Sequence, residues 1–286
     1  MQSHATTPVP IYLSGDRFRI FFSSRNKLNQ NQLGYVDIDL NNPQEIIGMS
    51  STPSLSLGPL GFFDCDGMYG TSIIKVNDKL ILYYAGWNAG KDGLFYSSIG
   101  MAESTDLGKS FKRVSNAPIL SRDEIDPWAV MAPFVIKDND KWNMYYTSGI
   151  KLYKENDTLK SFYDVKLAIS DDGYKWKKTG TVCIPLKNDM TNIARANVIK
   201  QQNKFLVWFP YVSNSTNQYR IGYGESSDGI HFGKFKYDND LKVTENSTWD
   251  NEAVTYPYVF YHNNKQYMLY NGNQFGKTGF GLAVYE

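Results

Sequence analysis

Residues 79–88 read KLILYYAGWN: a basic residue, an unbroken apolar and aromatic run, then a small residue, a tryptophan and an amide. Four other stretches share this plan. They are RFRIFFSSR from Arg17, KWNMYYTSG from Lys141, KFLVWFPYV from Lys204 and KQYMLYNGN from Lys265. The basic residues stand 62, 62, 63 and 61 positions apart. So constant a step over a whole chain means one supersecondary unit used five times.

Each unit reads as four short strands. The first precedes the basic residue: PVPIYLS (8–14), SIIKV (72–76), APFVIK (132–137), NVIK (197–200) and YPYVFY (256–261). The quoted run is the second. The third carries small residues, as in LGYVDI (33–38), IGMAES (99–104), VKLAIS (165–170), IGYGES (221–226) and FGLAVY (280–285). A turn follows, often Asp-Gly, whose glycine supplies the positive φ of a tight hairpin. The aromatic after it (Phe111, Trp176 or Phe232) is expected to pack between neighbouring sheets. No segment sustains a 3.6-residue apolar period, so helix content should be very low. Five four-stranded antiparallel units around an axis make an all-β, five-bladed β-propeller with a central channel. A linear solenoid is the competing architecture, but no terminal unit looks like a cap. The blades fall at about 1–50, 58–115, 119–180, 183–236 and 241–286 in a single domain. The chain stops after the last unit's third strand, so its fourth strand is either absent or supplied by the N-terminus.

Composition narrows the function. A net charge of +1 gives no field for a polyanion, so nucleic acid is excluded as an expected partner. No run approaches the 18 apolar residues of a membrane span. Cys65 and Cys183 are the only cysteines, and the N-terminus MQSHATTPVPIYL lacks a secretory signal; both point to reduced thiols and a cytoplasmic protein. Aromatics make up 15% of the chain, with 21 Tyr and 6 Trp, which suits packed sheets or a sugar-binding surface.

The repeat also directs attention to a site. Fifteen residues before each of the last four basic residues stands an aspartate: Asp64, Asp126, Asp189 and Asp250. In the first unit the count lands on Gln2, with His4 two residues later. Preceding the channel-lining strands, these positions are expected to ring one mouth. The second strands end at that mouth, bringing Arg25, Trp87, Asn88, Tyr211, Asn271 and Asn273, while Asp66, Arg122, Asp123, Glu124, Arg195 and Glu252 lie nearby in sequence. Carboxylates, amides, an arginine and aromatic rings suit a polyol: planar groups hydrogen-bond hydroxyl pairs and a ring stacks on the apolar sugar face. An arginine there could also grip an anionic sugar. Two carboxylates flanking a bond are what glycoside hydrolysis requires, and Asp64, Asp126, Asp250 and Glu252 are the catalytic candidates. The competing reading of each aspartate is a turn cap. Gly272-NQF-Gly276-Lys277-Thr278 is one residue short of a phosphate loop and joins strands, so it is set aside. The histidines have no metal-ligand spacing; His231 and His262 read as surface residues, and no metal or cofactor is expected, a Ca²⁺ held by the oxygens of the aspartate ring being the alternative.

The third and fourth strands with their S-x-DG-x-x-aromatic turns, and the MYY/MLY second strands, resemble the five-bladed propeller superfamily of furanosidases. That superfamily includes arabinanases, invertases, levansucrases and mannoside phosphorylases. SHATTP, FDCDG, DPWAVMAP, RIGYGESSDG and YPYVFYHNNKQYMLYNGNQFGKTGFGLAV look like a bacterial group encoded beside surface-polysaccharide genes. The resemblance covers the whole chain. It implies a glycosidase or transglycosylase acting on a bacterial surface glycan or its precursor, with an oligosaccharide or glycoconjugate as partner. The alternatives are a non-catalytic glycan-recognition or biosynthesis accessory protein and a protein-binding scaffold. The superfamily's base lies in an Asp-Pro of the first blade and its acid is a Glu just before the corresponding Pro of the third. Here those places hold Thr7 before Pro8 and Met131-Ala132 before Pro133.

Overall fold

The computed structural model describes residues 3–237 and 241–285; Gln2 lies outside them. Strands β1 (Ser3–Ser14), β2 (Arg17–Arg25), β3 (Asn31–Asp39) and β4 (Asn42–Met49) pair in chain order as an antiparallel meander. So do β5 (Gly67–Val76), β6 (Lys79–Ala89), β7 (Phe95–Ser104) and β8 (Lys112–Arg113). A third meander runs through β9 (Ala129–Asp138), β10 (Lys141–Glu155), β11 (Thr158–Ser170) and β12 (Lys177–Ile184). A fourth runs through β14 (Asn197–Gln201), β15 (Lys204–Ser213), β16 (Arg220–Ser226) and β17 (Gly233–Lys236). The short β13 (Met190–Ile193) pairs with both β11 and β15, joining these two meanders into one nine-stranded sheet. The last sheet holds three strands, β18 (Thr255–His262), β19 (Lys265–Asn271) and β20 (Phe280–Tyr285). Among the described residues β1 pairs with β2, so the N-terminus does not supply a fourth. The helical content among them is a 3₁₀ turn at 91–93 and the four-residue α1 (Asn273–Gly276).

The second strands are apolar on both faces because both faces are covered. In β6, Leu80, Leu82 and Tyr84 pack toward the first meander, whereas Ile81 and Tyr83 pack toward the third. A strand buried on both sides loses the alternating pattern of a half-exposed sheet. The described residues form five such cores, each between consecutive meanders, and the fifth joins Phe18 and Ile20 of β2 to Leu269 of β19. The first strands likewise neighbour one another in the order β1, β5, β9, β14, β18 and back to β1.

Polar contacts fix the registry between sheets. Tyr83 and Tyr145, 62 residues apart, donate to the carbonyls of Gly173 (2.8 Å) and Gly229 (2.6 Å) in the turn of the following unit. Phe21, the matching residue of the first unit, leaves no room at Gly108: a Cβ there would lie 2.2 Å from its ring. Gly108, Gly173 and Gly229 also have φ of 77, 78 and 71°, and each donates its N–H to the serine that opens its turn. His262, expected on the surface, is a correction. Its Nε2 lies 2.8 Å from Asp16 Oδ1 and its ring packs edge-on to Phe18, because the last hairpin docks on the first. His231 is exposed.

Candidate functional site

A cavity of about 420 Å³ opens where the first strands converge. One residue of each unit lines it at the repeat spacing: Thr7, Tyr69, Met131, Ala194 and Tyr256. The first strands reach it through irregularities. The β1, β5, β9 and β18 pairings each shift register near these residues, and Thr7, Ala132 and Tyr256 adopt positive φ of 56, 43 and 51°. A bulge re-aims side chains, and left-handed non-glycine residues persist only where their surroundings hold them. Thr7 is so held: its N–H donates to Asn271 Oδ1 (2.8 Å) and its hydroxyl to the Gly70 carbonyl (3.1 Å).

The walls come from the second and third strands. Arg25 ends β2 and Trp87 lies two residues before the end of β6, while Asn31, Phe95 and Tyr163 belong to β3, β7 and β11. Tyr219 and Phe275 complete an aromatic face with Tyr256, with ring centroids 6.1 Å apart in both pairs involving Tyr219. Among the described residues no aspartate or glutamate lines this cavity; Arg25 is its charged residue.

The predicted carboxylates sit elsewhere. Asp64, Asp126 and Asp250 are completely buried, each accepting a bond from the tyrosine twenty residues on: Tyr84 (3.0 Å), Tyr146 (2.8 Å) and Tyr270 (3.3 Å). Arg113 adds an ion pair to Asp64 at 2.7 Å; Lys166 (2.9 Å) and Lys178 (2.8 Å) add two to Asp126, and Thr244 bonds Asp250 at 3.1 Å. Burial alone would raise the Asp126 pKa, but bonds from Lys178, Ser148, Lys166 and Tyr146 hold it below the usual carboxylate range. The residue twenty positions after Asp189 is Phe209, which has no hydroxyl, and Asp189 is exposed, capping the Ser215 N–H at 2.8 Å. The structure thus places three of the four aspartates in equivalent interior networks and brings none into the cavity.

Of the other predicted site residues, Arg25 and Trp87 line the cavity. His4 lies near it, its pKa lowered by burial and then by the charges of Arg25 and Lys277. Asp66 accepts the Ala89 N–H at 2.8 Å beside Trp87, and Asn88 pairs with Tyr96 across β6 and β7. Asn271 is fully buried and saturated, giving its amide hydrogens to Ala5 and Gly279. Tyr211 packs against Phe209 and Tyr237 away from the cavity. Arg195 is wholly buried next to Ala194; its Nη2 donates to the Pro8 carbonyl at 3.0 Å and its guanidinium stands 5.1 Å over the Tyr258 ring. Glu252 and Asn273 line a second cavity of about 360 Å³ with Lys277. Counting ten residues back from the basic residue, rather than fifteen, finds four of the five converging positions; the fifth, Tyr256, stands nine back.

The uncharacterized protein Rv1502 of Mycobacterium tuberculosis (strain ATCC 25618 / H37Rv) is 35% identical over 286 residues, spanning 100% of this chain and 93% of the relative. The chain belongs to the Rv1502 family. No protein-family model matches it. Among solved structures, a complex of BT0996 with RGII aligns with a TM-score of 0.76 at 16% identity, over 99% of this chain and 87% of that one. A thermostable family-43 glycoside hydrolase aligns at 0.72 and 14%, over 99% and 89%. The Rv1502-family fold is therefore that of propeller-type glycoside hydrolases.

Proposed function

We propose that the five meanders are the blades of one five-bladed β-propeller spanning residues 1–286, and that this carbohydrate-active protein holds a glycan in the central cavity. The cyclic order of the five cores supports the blade count. The observation that carries the binding role is the cavity itself: aromatic walls with a few convergent polar groups, at the point where the first strands meet. Its lining has no carboxylate among the described residues; the buried aspartates are held by tyrosine hydroxyls, with Arg113 on Asp64, two lysines on Asp126 and Thr244 on Asp250. Among the described residues no acid and base pair lines this cavity for paired-carboxylate hydrolysis, so recognition of the glycan is the favoured reading. The hydrolase reading is supported by the likeness in fold to glycoside hydrolases and by Glu252, which lines the second cavity with Lys277.

Binding to a glycan array and release of reducing ends from the captured glycans test this together. The account expects capture without release, loss of capture in Tyr256→Ala, and no loss in Glu252→Gln. Asp126→Asn should instead destabilise the fold by about 3–5 kcal/mol, as when one member of a buried ion pair is removed. Turnover that disappears in Glu252→Gln would establish the hydrolase reading.

A further inference from the structure

The cavity is polar in an unbalanced way. Arg25 and Asn31 face each other across β2 and β3 as a directly opposed pair, so their side chains share one face. Asn31 is 1% exposed, yet neither its amide nitrogen nor its amide oxygen has a hydrogen-bond partner. Arg25 spends one nitrogen on Asn29 (2.9 Å) and lies against the Tyr69 hydroxyl, while its buried Nε has no partner. Buried polar groups are nearly always paired, and an amide with both ends open beside an open guanidinium N–H describes a place where ligand atoms belong.

Cationic groups also adjoin the lining, as does one buried carboxyl, Asp164, next in the chain to the lining Tyr163. Arg195, next in the chain to the lining Ala194, is completely buried with Nε and Nη1 unpartnered, and no carboxylate bonds it among the described residues. Burial pulls its pKa down to about 10, so the guanidinium stays charged at neutral pH. The lowered pKa of His4 owes its second cause to Arg25 and its third to Lys277, which lines the second cavity. Uncompensated buried charge is costly, and a guanidinium fork matches carboxylate and phosphate geometry.

Resting on the glycan reading above, we infer that the cavity selects an acidic sugar, its anionic group held by Arg25 and Asn31 while the sugar face stacks on the aromatic wall. The shared chemistry is an anionic oxygen cluster on a sugar ring, whether uronate, sulfate or phosphate.

The experiment is an array bearing neutral, uronic-acid, sialylated, sulfated and phosphorylated glycans, probed with wild type, Arg25→Gln, Arg25→Lys and Asn31→Ala, each checked by thermal melt. Wild type should capture acidic glycans and lose them as salt is raised. Arg25→Gln should weaken that capture about ten- to a hundredfold, the usual worth of a hydrogen bond to a charged group. Arg25→Lys should recover part of it, and whichever acidic class is captured identifies the anion. Should Arg25→Gln fail to fold, Asn31→Ala carries the comparison, with a smaller loss expected on the same glycans. Capture confined to neutral glycans, or acidic capture unchanged in folded variants of both residues, overturns the inference while leaving glycan binding intact. No capture of any glycan overturns the glycan reading itself.

Discussion

At Asp164 burial outweighs every favourable contact. It is 5% exposed on β11, its Oδ1 has no partner, and its pKa rises to about 6; burial is the main cause, opposed by Lys166 and reinforced by Asp126. A carboxyl that holds its proton more tightly when folded loses stability for the protein as pH climbs from 3.8 toward about 6. Denaturant melts should therefore show stability falling over that window by up to about 3 kcal/mol, and Asp164→Asn should remove the slope. Asp126 acts with the opposite sign: its depressed pKa stabilises above the ordinary carboxylate value and that share is lost as acid is added. The sequence made part of this legible. Asp64, Asp126 and Asp250 each have a tyrosine twenty residues on, and Asp189 does not, which already separates three interior aspartates from an exposed one. The lysines that neutralise Asp126 follow it by 40 and 52 positions in other strands, with no local pattern to announce them.

Among the elements, the second strands were the readable ones, since burial on both faces writes a continuous apolar run. The bridging strand β13 was not, because four residues of mixed character carry no period. Irregularity matters more than regularity at the site: bulged first strands point Thr7, Met131 and Tyr256 inward, and a glycine seats Trp87. A Cβ on Gly67 would lie 2.3 Å from Trp87 Nε1. Gly67→Ala should displace that indole, destabilise the fold by about 1–3 kcal/mol as overpacking does, and weaken glycan capture in a protein that still folds. Thermal melts with array binding check both parts. Alanine at Gly233, which has nothing within 4 Å of its Cβ position, is the silent control.

For the whole molecule, the even repeat foretold a cycle, but not what closes it. Asn271 does much of that closing. Read from sequence as a sugar ligand, it joins β19 to β1 through the Thr7 N–H and the Ala5 carbonyl. Contacts 264 and 266 residues apart leave no trace in local sequence. Asn271→Ala strands one buried and two part-buried backbone groups and should lower stability by at least about 2 kcal/mol, more than Asn88→Ala, in matched denaturation curves. The same closure brings together the five residues of the central cavity, so the account stands or falls on what occupies it. A crystal structure with an array-captured acidic glycan tests that most directly. The account predicts sugar density against Tyr219 and Tyr256, its anionic group within hydrogen-bond distance of Arg25 and Asn31. Density in the cavity beside Glu252 and Lys277, with the central cavity holding only solvent, would contradict it.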